Sequence, residues 1–448
     1  MKKQWILILA AIVISAWVIP AYAAELKTSG HYRVRGFSVQ NMTSGNALQS
    51  RGADEQWSFA DHRFRLNLDV SEGPVMGRLQ INSGNYNWGE SQTSSAWNRE
   101  MFLVFPLGGA TVKIGKFWAE HPFNGVIFTG VAEQAYYIYP VTSDLTLIAA
   151  FVDADDTADK AMSVHVLVGI YKPKASIFSG AFGFYHGTLN DSSGSTYVLN
   201  ASGLPGATTL TNQYYVEGRP MWLAGQIDAA QGPWKVGLTG ASQFGDVDVT
   251  IPGGAVLTNN LTGYAFDARA SYDFAKAGGP PLTLELVVGY GSGDDNANDN
   301  DINTFTGPLP SYTHTAIFLD QGDAGEGGAQ LRHAGRADLL NTHNGIGNLK
   351  WIGLKAAYKA TDKTTFKLTG ASFYLAQEKV TGGTSYQDSE LGQELDAALV
   401  HNLAKGLNLT LSGAWFMPNA KGWTTTTAAT TASTDTISEY MAKLQFDF

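Results

Sequence analysis

Apolar and polar residues alternate along most of this chain with a period of two. Between Arg63 and Val70, Phe64, Leu66, Leu68 and Val70 share one parity, and Arg63, Arg65, Asn67 and Asp69 share the other. Successive side chains of a strand point to opposite faces, so this stretch predicts a strand with one apolar and one polar wall. The pattern returns after Glu72-Gly73-Pro74, where Val75, Leu79 and Ile81 oppose Arg78, Gln80 and Asn82. It returns again where Tyr264, Phe266, Ala268, Ala270 and Tyr272 oppose Asp267 and Arg269, and where Leu282, Leu284, Leu286 and Val288 oppose Thr283 and Glu285. The stretches 366–374 and 407–415 follow the same rule, and it blurs at 101–105 and 132–139. In the last stretch, Ile437 to Phe448, the residues Tyr440, Ala442, Leu444, Phe446 and Phe448 oppose Glu439, Lys443, Gln445 and Asp447.

Connections between these segments alternate in length. Short ones fall at Glu72-Gly73-Pro74, Gly108-Gly109, Thr142-Ser143-Asp144, Pro173-Lys174, Gln231-Gly232-Pro233, Gly278-Gly279-Pro280-Pro281, Thr361-Asp362-Lys363 and Ala404-Lys405-Gly406. Longer polar stretches separate them, such as 41–57, 187–212, 245–260 and 291–348. Strict alternation of this kind predicts an all-β, up-and-down transmembrane antiparallel barrel of about 18 strands, with short periplasmic turns and long extracellular loops. Charged residues make up only 16% of the chain, against roughly 25% in soluble domains. Yet no segment beyond the first twenty residues is apolar enough for a membrane helix, and only a sheet closed on itself can then satisfy the backbone inside a bilayer. Trp57, Phe59, Trp88, Trp97, Trp118, Tyr139, Trp234, Trp351, Trp415 and Trp423 stand near segment ends. That spacing suggests aromatic girdles at the two membrane interfaces.

The first residues carry Lys2 and Lys3, an apolar run from Trp5 to Ile19 and the small-residue site Ala21-Tyr22-Ala23. They read as a cleaved signal peptide over 1–23, which leaves a single barrel over 24–448. Cleavage there takes two of the 30 basic residues, leaving 28 against 40 acidic ones. The chain has no cysteine, so disulfides and thiolate metal sites are excluded.

The terminal stretch ending on Phe448 resembles the assembly signal of Gram-negative outer-membrane barrels, with Tyr440, Leu444, Phe446 and Phe448 as its apolar members. The segments FADHRFRLNLDVSEGPVMGRLQIN (59–82), with Trp88-Gly89 after them, and LGQELDAALVHNLAKGLNLTLSGAWFMP (391–418) resemble Gram-negative porins, within them the 18-stranded alginate-export-type barrels. The resemblance implies an outer-membrane location, insertion by the barrel-assembly machinery, contact with outer-membrane lipid and lipopolysaccharide, and passive passage of small hydrophilic solutes. Porins commonly form homotrimers, and a homotrimer stays open here, because no strand face is flat and apolar enough to single out an interface.

Five arginines, Arg33, Arg35, Arg63, Arg65 and Arg78, share the polar parity of the first three strands. A charge facing lipid at mid-depth costs about 2–4 kcal/mol, so they are expected on one wall of the lumen. Fixed positive charge in a narrow, poorly screened pore concentrates anions. The competing expectation is that Asp61, Asp69 and other acids pair them off. Glu285, Glu394, Asp396 and Glu439 are the acidic lumen candidates; lying across the bore from the arginines, they would set up a transverse field. The third outer loop, WAEHPFNGVIFTG (118–130), is poor in charge. It is expected to fold into the bore, with Glu120, His121 and Phe123 contributing to a constriction. The stretch DDNANDNDIN (294–303) is dense in oxygen ligands, but Asp299 and Phe305 stand where a calcium loop requires glycine and glutamate. A solvated acidic loop is therefore expected, and no metal or cofactor.

No hydrolase, phosphate-loop or zinc motif occurs, and no basic-aromatic run suits nucleic acid. The reading is a porin or export channel, not an enzyme, for small hydrophilic and anionic solutes. A barrel sheathing a periplasmic electron-transfer or secretion partner is the alternative from another class, and an outer-membrane hydrolase is a third.

Overall fold

The computed structural model describes residues 24–41, 56–87, 97–157, 160–174, 176–191, 215–250, 256–296, 299–308, 310–319, 345–380, 384–424, 426 and 434–448. Within these, eighteen long strands form the wall of a closed antiparallel barrel. They are β1 (Glu25–Gln40), β2 (Gln56–Glu72), β3 (Val75–Asn87), β4 (Trp97–Leu107), β5 (Ala110–Glu120) and β6 (Thr129–Pro140). Then follow β7 (Leu145–Thr157), β8 (Lys160–Tyr171), β9 (Phe178–Asp191), β10 (Met221–Gln231), β11 (Trp234–Phe244) and β12 (Tyr264–Asp273). The circuit ends with β13 (Leu282–Gly291), β14 (Leu349–Lys359), β15 (Thr364–Leu375), β16 (Glu390–Ala404), β17 (Leu407–Pro418) and β18 (Ile437–Asp447).

Each strand pairs with its chain neighbours, and β1 pairs with β18 from His31↔Asp447 to Gln40↔Ser438. That last pairing removes both sheet edges, leaving no strand of the wall without partners on either side. All eight short connections foreseen from the sequence lie at one rim and the long ones at the other. Above the long-loop rim, the short strands 215–218, 246–250 and 256–261 continue the ladder, and 301–302 adds to it in parallel. The expected signal segment, Trp88 and the loop interiors 42–55, 192–214 and 320–344 lie outside the described residues.

The outward parity is apolar, as expected: Leu223, Leu238, Phe266 and Leu354 are exposed on the wall, as are Tyr440, Leu444, Phe446 and Phe448. The two blurred stretches are strands β4 and β6. Their inward positions hold Phe102 and Tyr136, so both faces read as apolar.

The inner face departs from the expected polar lining. Val164, Val166, Val168, Tyr185, Trp222, Trp351, Phe373 and Phe416 all point inward and are buried, because two loops enter the bore and pack against them. Loop 121–128 contributes Phe123, Val126, Ile127 and Phe128, and the described part of loop 292–348 contributes Phe305, Tyr312, Ile317, Phe318 and Leu319. The core of this protein is therefore inside the tube. For the same reason Trp351 and Trp423 are buried core residues and not members of a girdle. Phe59 stacks on the buried Phe37. Tyr139 and Trp234 are exposed at the short-turn rim, and Trp415 donates to the Tyr440 hydroxyl at 3.1 Å on the outer surface.

A pinned waist between two inward loops: the candidate functional site

Loop 121–128 leaves the wall after β5 and is held by its own side chains. His121 is buried, with Nδ1 2.8 Å from the Tyr185 hydroxyl and Nε2 2.6 Å from that of Tyr136. Burial pushes this imidazole down to about 4, so it is neutral at physiological pH. Its ring stacks on Phe128 at 4.7 Å, and Phe123 meets Tyr185 edge-on. Next come Asn124 and Gly125, both at positive φ, 52° and 77°. A Cβ at Gly125 would sit 2.0 Å from the Ser311 carbonyl oxygen, so only glycine lets the second loop approach. There the Ser311 amide donates to the Gly125 carbonyl at 2.8 Å.

Both loops converge on Asp267 of β12, which has no solvent exposure. Asn124 donates to its Oδ1 at 3.2 Å and to Thr239 Oγ1 at 2.9 Å. From the other loop, the Tyr312 hydroxyl donates to Oδ2 at 2.6 Å, and Arg269 Nε donates to Oδ1 at 2.7 Å. Trp351 Nε1 donates to the Tyr312 oxygen at 2.9 Å, and Lys355 Nζ donates to His314 Nδ1 at 3.1 Å. Burial, with Lys355 and Arg269 close by, lowers the His314 imidazole to about 2, which leaves it a neutral acceptor. One buried carboxylate thus ties two loops to the wall by charge-assisted hydrogen bonds, which are about twice as strong as neutral ones.

The longer loop has a second anchor. Glu394 of β16, buried, accepts from the amides of Ile317 at 2.6 Å and Phe318 at 3.0 Å and from the Thr315 hydroxyl at 2.9 Å. Asp396 accepts from the Ala316 amide at 3.3 Å. Beside this cradle, Phe318 lies 4.5 Å from the Phe373 ring and stacks on Phe416. Earlier in the loop, Trp222 Nε1 donates to the Thr306 carbonyl at 2.7 Å, and Gln243 bonds both Thr304 and Thr306.

On either side of the waist is a cavity. One, of about 400 Å³, is lined by Trp118, Glu120, Asn124, Arg269, His314 and Lys355. The other, of about 570 Å³ and nearer the short-turn rim, is lined by Asn124, Lys172, Asp228, Lys235, Arg269 and Glu285. Asn124 and Arg269 line both, so these two residues stand between them.

The arginine wall differs from the expected open array. Arg33, Arg35 and Arg63 are buried. Arg35 donates from Nε to Asp61 at 2.9 Å and forms a second bond through Nη2, while Arg78 holds Asp69 through bonds of 2.6 and 2.8 Å. Arg65 donates to Asn82 at 2.7 Å. Arg33 and Arg63 are directly opposite in the β1–β2 register. Three of the four acids are not across the bore from this wall. Glu439 of β18 is on the strand next to β1, and Glu394 and Asp396 of β16 are two strands beyond it, so the transverse segregation is not what the fold builds. Only Glu285 of β13 lies in the waist region, in register with Lys355. Of the three loop residues, Glu120 is exposed to the cavity, while His121 and Phe123 anchor the loop from beneath. Sequence reasoning missed Asn124, Asp267, Tyr312, His314 and Lys355. The one signal available was Asp267-Ala-Arg269, two opposite charges two residues apart on a single inward face.

A family model described as alginate export matches residues 142–419, well over half of the chain. Comparison with curated protein sequences finds no match. Among solved structures, Pseudomonas aeruginosa OpdQ superposes with a TM-score of 0.54 at 13% identity, covering 94% of this chain and 97% of that one. Pseudomonas aeruginosa OccK2 (OpdF), solved in complex with glucuronate, gives 0.53 at 12% identity over 94% and 98% of the two chains. OccK11 (OpdR) of the same organism gives 0.51 at 12%, over 94% and 96%. At such identities the likeness shows a shared fold, that of outer-membrane porins. This chain belongs to the alginate export family and is a porin-type β-barrel of the outer membrane.

Proposed function

We propose that this barrel is a passive channel that favours small hydrophilic anions, which pass the waist between its two inward loops. The observation that carries the reading is the placement of Arg269 and Lys355 in the lining of one chamber, where Glu120 is the lining carboxylate and Asp267 engages Arg269 through Nε alone. Fixed charges in a confined, poorly screened passage set the local counter-ion concentration more strongly than charges in open water do. The chamber nearer the periplasm adds Lys172 and Lys235 against Asp228 and Glu285. Arg65 and Arg78 act at a distance, because Asn82 and Asp69 engage them, and the buried Arg33, Arg35 and Arg63 brace the β1–β2 wall. Glu120 lines the constriction that His121 and Phe123 hold in place. The glucuronate found in OccK2 makes that acidic sugar the first probe solute for this chain.

A sheath for a protein partner needs a wide, plug-free bore. Two loops crossing the lumen and bonding to each other argue against that use. Reversal potentials across planar bilayers under a salt gradient test the reading. Lys355→Gln is expected to move the potential toward cation preference and Glu120→Gln toward anion preference, with glucuronate blocking or permeating the wild type. Cation-selective wild-type channels, or no movement in either variant, would sink it.

A further inference from the structure

One pair of histidines lies outside everything described so far. His165 of β8 and His186 of β9 are directly opposite in the register, on the outward parity, with ring centroids 6.2 Å apart and planes tilted by 42°. Their inward neighbours, Val164, Val166 and Tyr185, are buried in the lumen core, so both imidazoles stand on the outside of the barrel. One rung toward the short-turn rim, the same face carries Leu167 opposite Phe184, both exposed. One rung toward the long-loop rim it carries Ser163 opposite Thr188, with Asp153 beside Ser163. The outer wall changes from apolar to polar at the histidine rung, which places the pair where hydrocarbon gives way to headgroups. Phe151 packs edge-on against His165 at 5.4 Å and limits where that ring can turn.

We propose that His165 and His186 form a two-imidazole site for a borderline divalent cation such as Zn²⁺, at the outer boundary of the membrane. Residues directly opposite on antiparallel strands have Cβ atoms about 5 Å apart, which aims both rings at one point. A zinc–nitrogen bond of about 2.0 Å sets each ring centre about 3 Å from the ion, so two rings on a tetrahedral ion stand about 5 Å apart, a separation that a small side-chain rotation reaches from the 6.2 Å seen here. Imidazole favours zinc, copper and nickel over magnesium and calcium, which choose oxygen. Water or phosphate oxygens complete the shell, and the ion ties β8 to β9 where the wall leaves the hydrocarbon.

Calorimetric titration of untagged, detergent-folded protein with ZnCl₂ tests this, alongside electron paramagnetic resonance of the Cu²⁺-loaded protein. Wild type is expected to bind zinc saturably and to show two equatorial nitrogens on copper. His165→Gln and His186→Gln are each expected to weaken zinc binding by more than about tenfold and leave one nitrogen. Both positions are on the outer wall, and heat-modifiable migration in electrophoresis checks that each variant has folded. No zinc binding by the wild type, or binding and nitrogen coupling unchanged in the two variants, overturns the assignment.

Discussion

Asp267 bonds Asn124 from one inward loop, Tyr312 from the other and Arg269 from its own strand. Removing one member of a buried charged pair costs about 3–5 kcal/mol, because the remaining charge is stranded. Most of that cost falls on the loops here, since the wall strands keep their ladder bonds on both sides. Asp267→Ala is therefore expected to leave a folded, heat-modifiable barrel. Its single-channel conductance should be larger and noisier than wild type, because the shorter loop loses its hold on the wall and the longer one keeps only its anchor at Glu394. A quiet channel of unchanged size would show that the carboxylate does not pin the waist. Lys355 and Glu120 act differently: they face the cavity, and substituting them should alter which ion passes while the loops stay in place.

At the scale of the element, the shorter loop is held by a histidine that must stay neutral. His121 has a value of about 4 when docked, below the 6.5 it has when free, because burial disfavours its charged form. Undocked loop then binds a proton more readily than docked loop does. The docking contribution is complete above pH 6.5 and is lost progressively as pH falls toward 4. Conductance fluctuations recorded from pH 7 down to pH 4 should therefore increase over that interval. In His121→Phe, which keeps the stacking on Phe128 without a titrating group, the dependence should flatten. Fluctuations that grow equally in that variant would assign the effect to another group. The longer loop depends on Glu394 and on rings that pack around Phe318. Its hold combines two backbone donors with apolar burial, so it is expected to survive the pH at which the shorter loop lets go.

For the whole molecule the decisive contact is closure. Gly30 and Phe448 exchange backbone hydrogen bonds of 3.0 and 3.1 Å, beside the β1–β2 pairing. A Cβ at Gly30 would meet the Arg65 carbonyl oxygen at 2.1 Å and the Phe448 ring at 3.0 Å. Gly30→Val is expected to cost about 1–3 kcal/mol through overpacking. It should appear as a lower refolding yield and an earlier loss of the heat-resistant band, with ion selectivity unchanged in the fraction that folds. Full refolding would mean that the β1–β18 seam tolerates displacement at its lower end.

The sequence by itself determined the barrel. A period of two, alternating short and long connections and scarce charge are local properties, and the bilayer leaves them a single closed solution. It also pointed to the shorter loop as an inward one, since Phe123, Val126, Ile127 and Phe128 have no place in water. What it could not determine was which inward residues meet solvent. Trp351, Phe373 and Phe416 alternate as lumen residues should, yet they are buried, because Tyr312 and Phe318 of the inward loop, more than thirty residues away in the chain, lie over them. The sequence offered Asp61 and Asp69 as partners for the arginines, and only the register decides that Arg35 meets Asp61 and Arg78 meets Asp69. Asn124, Asp267 and Tyr312 are far apart along the chain, and their hydrogen bonds exist only because the tube brings three segments to one point. Periodicity reports what each strand does with its two faces, and only tertiary structure decides what fills the space those faces enclose.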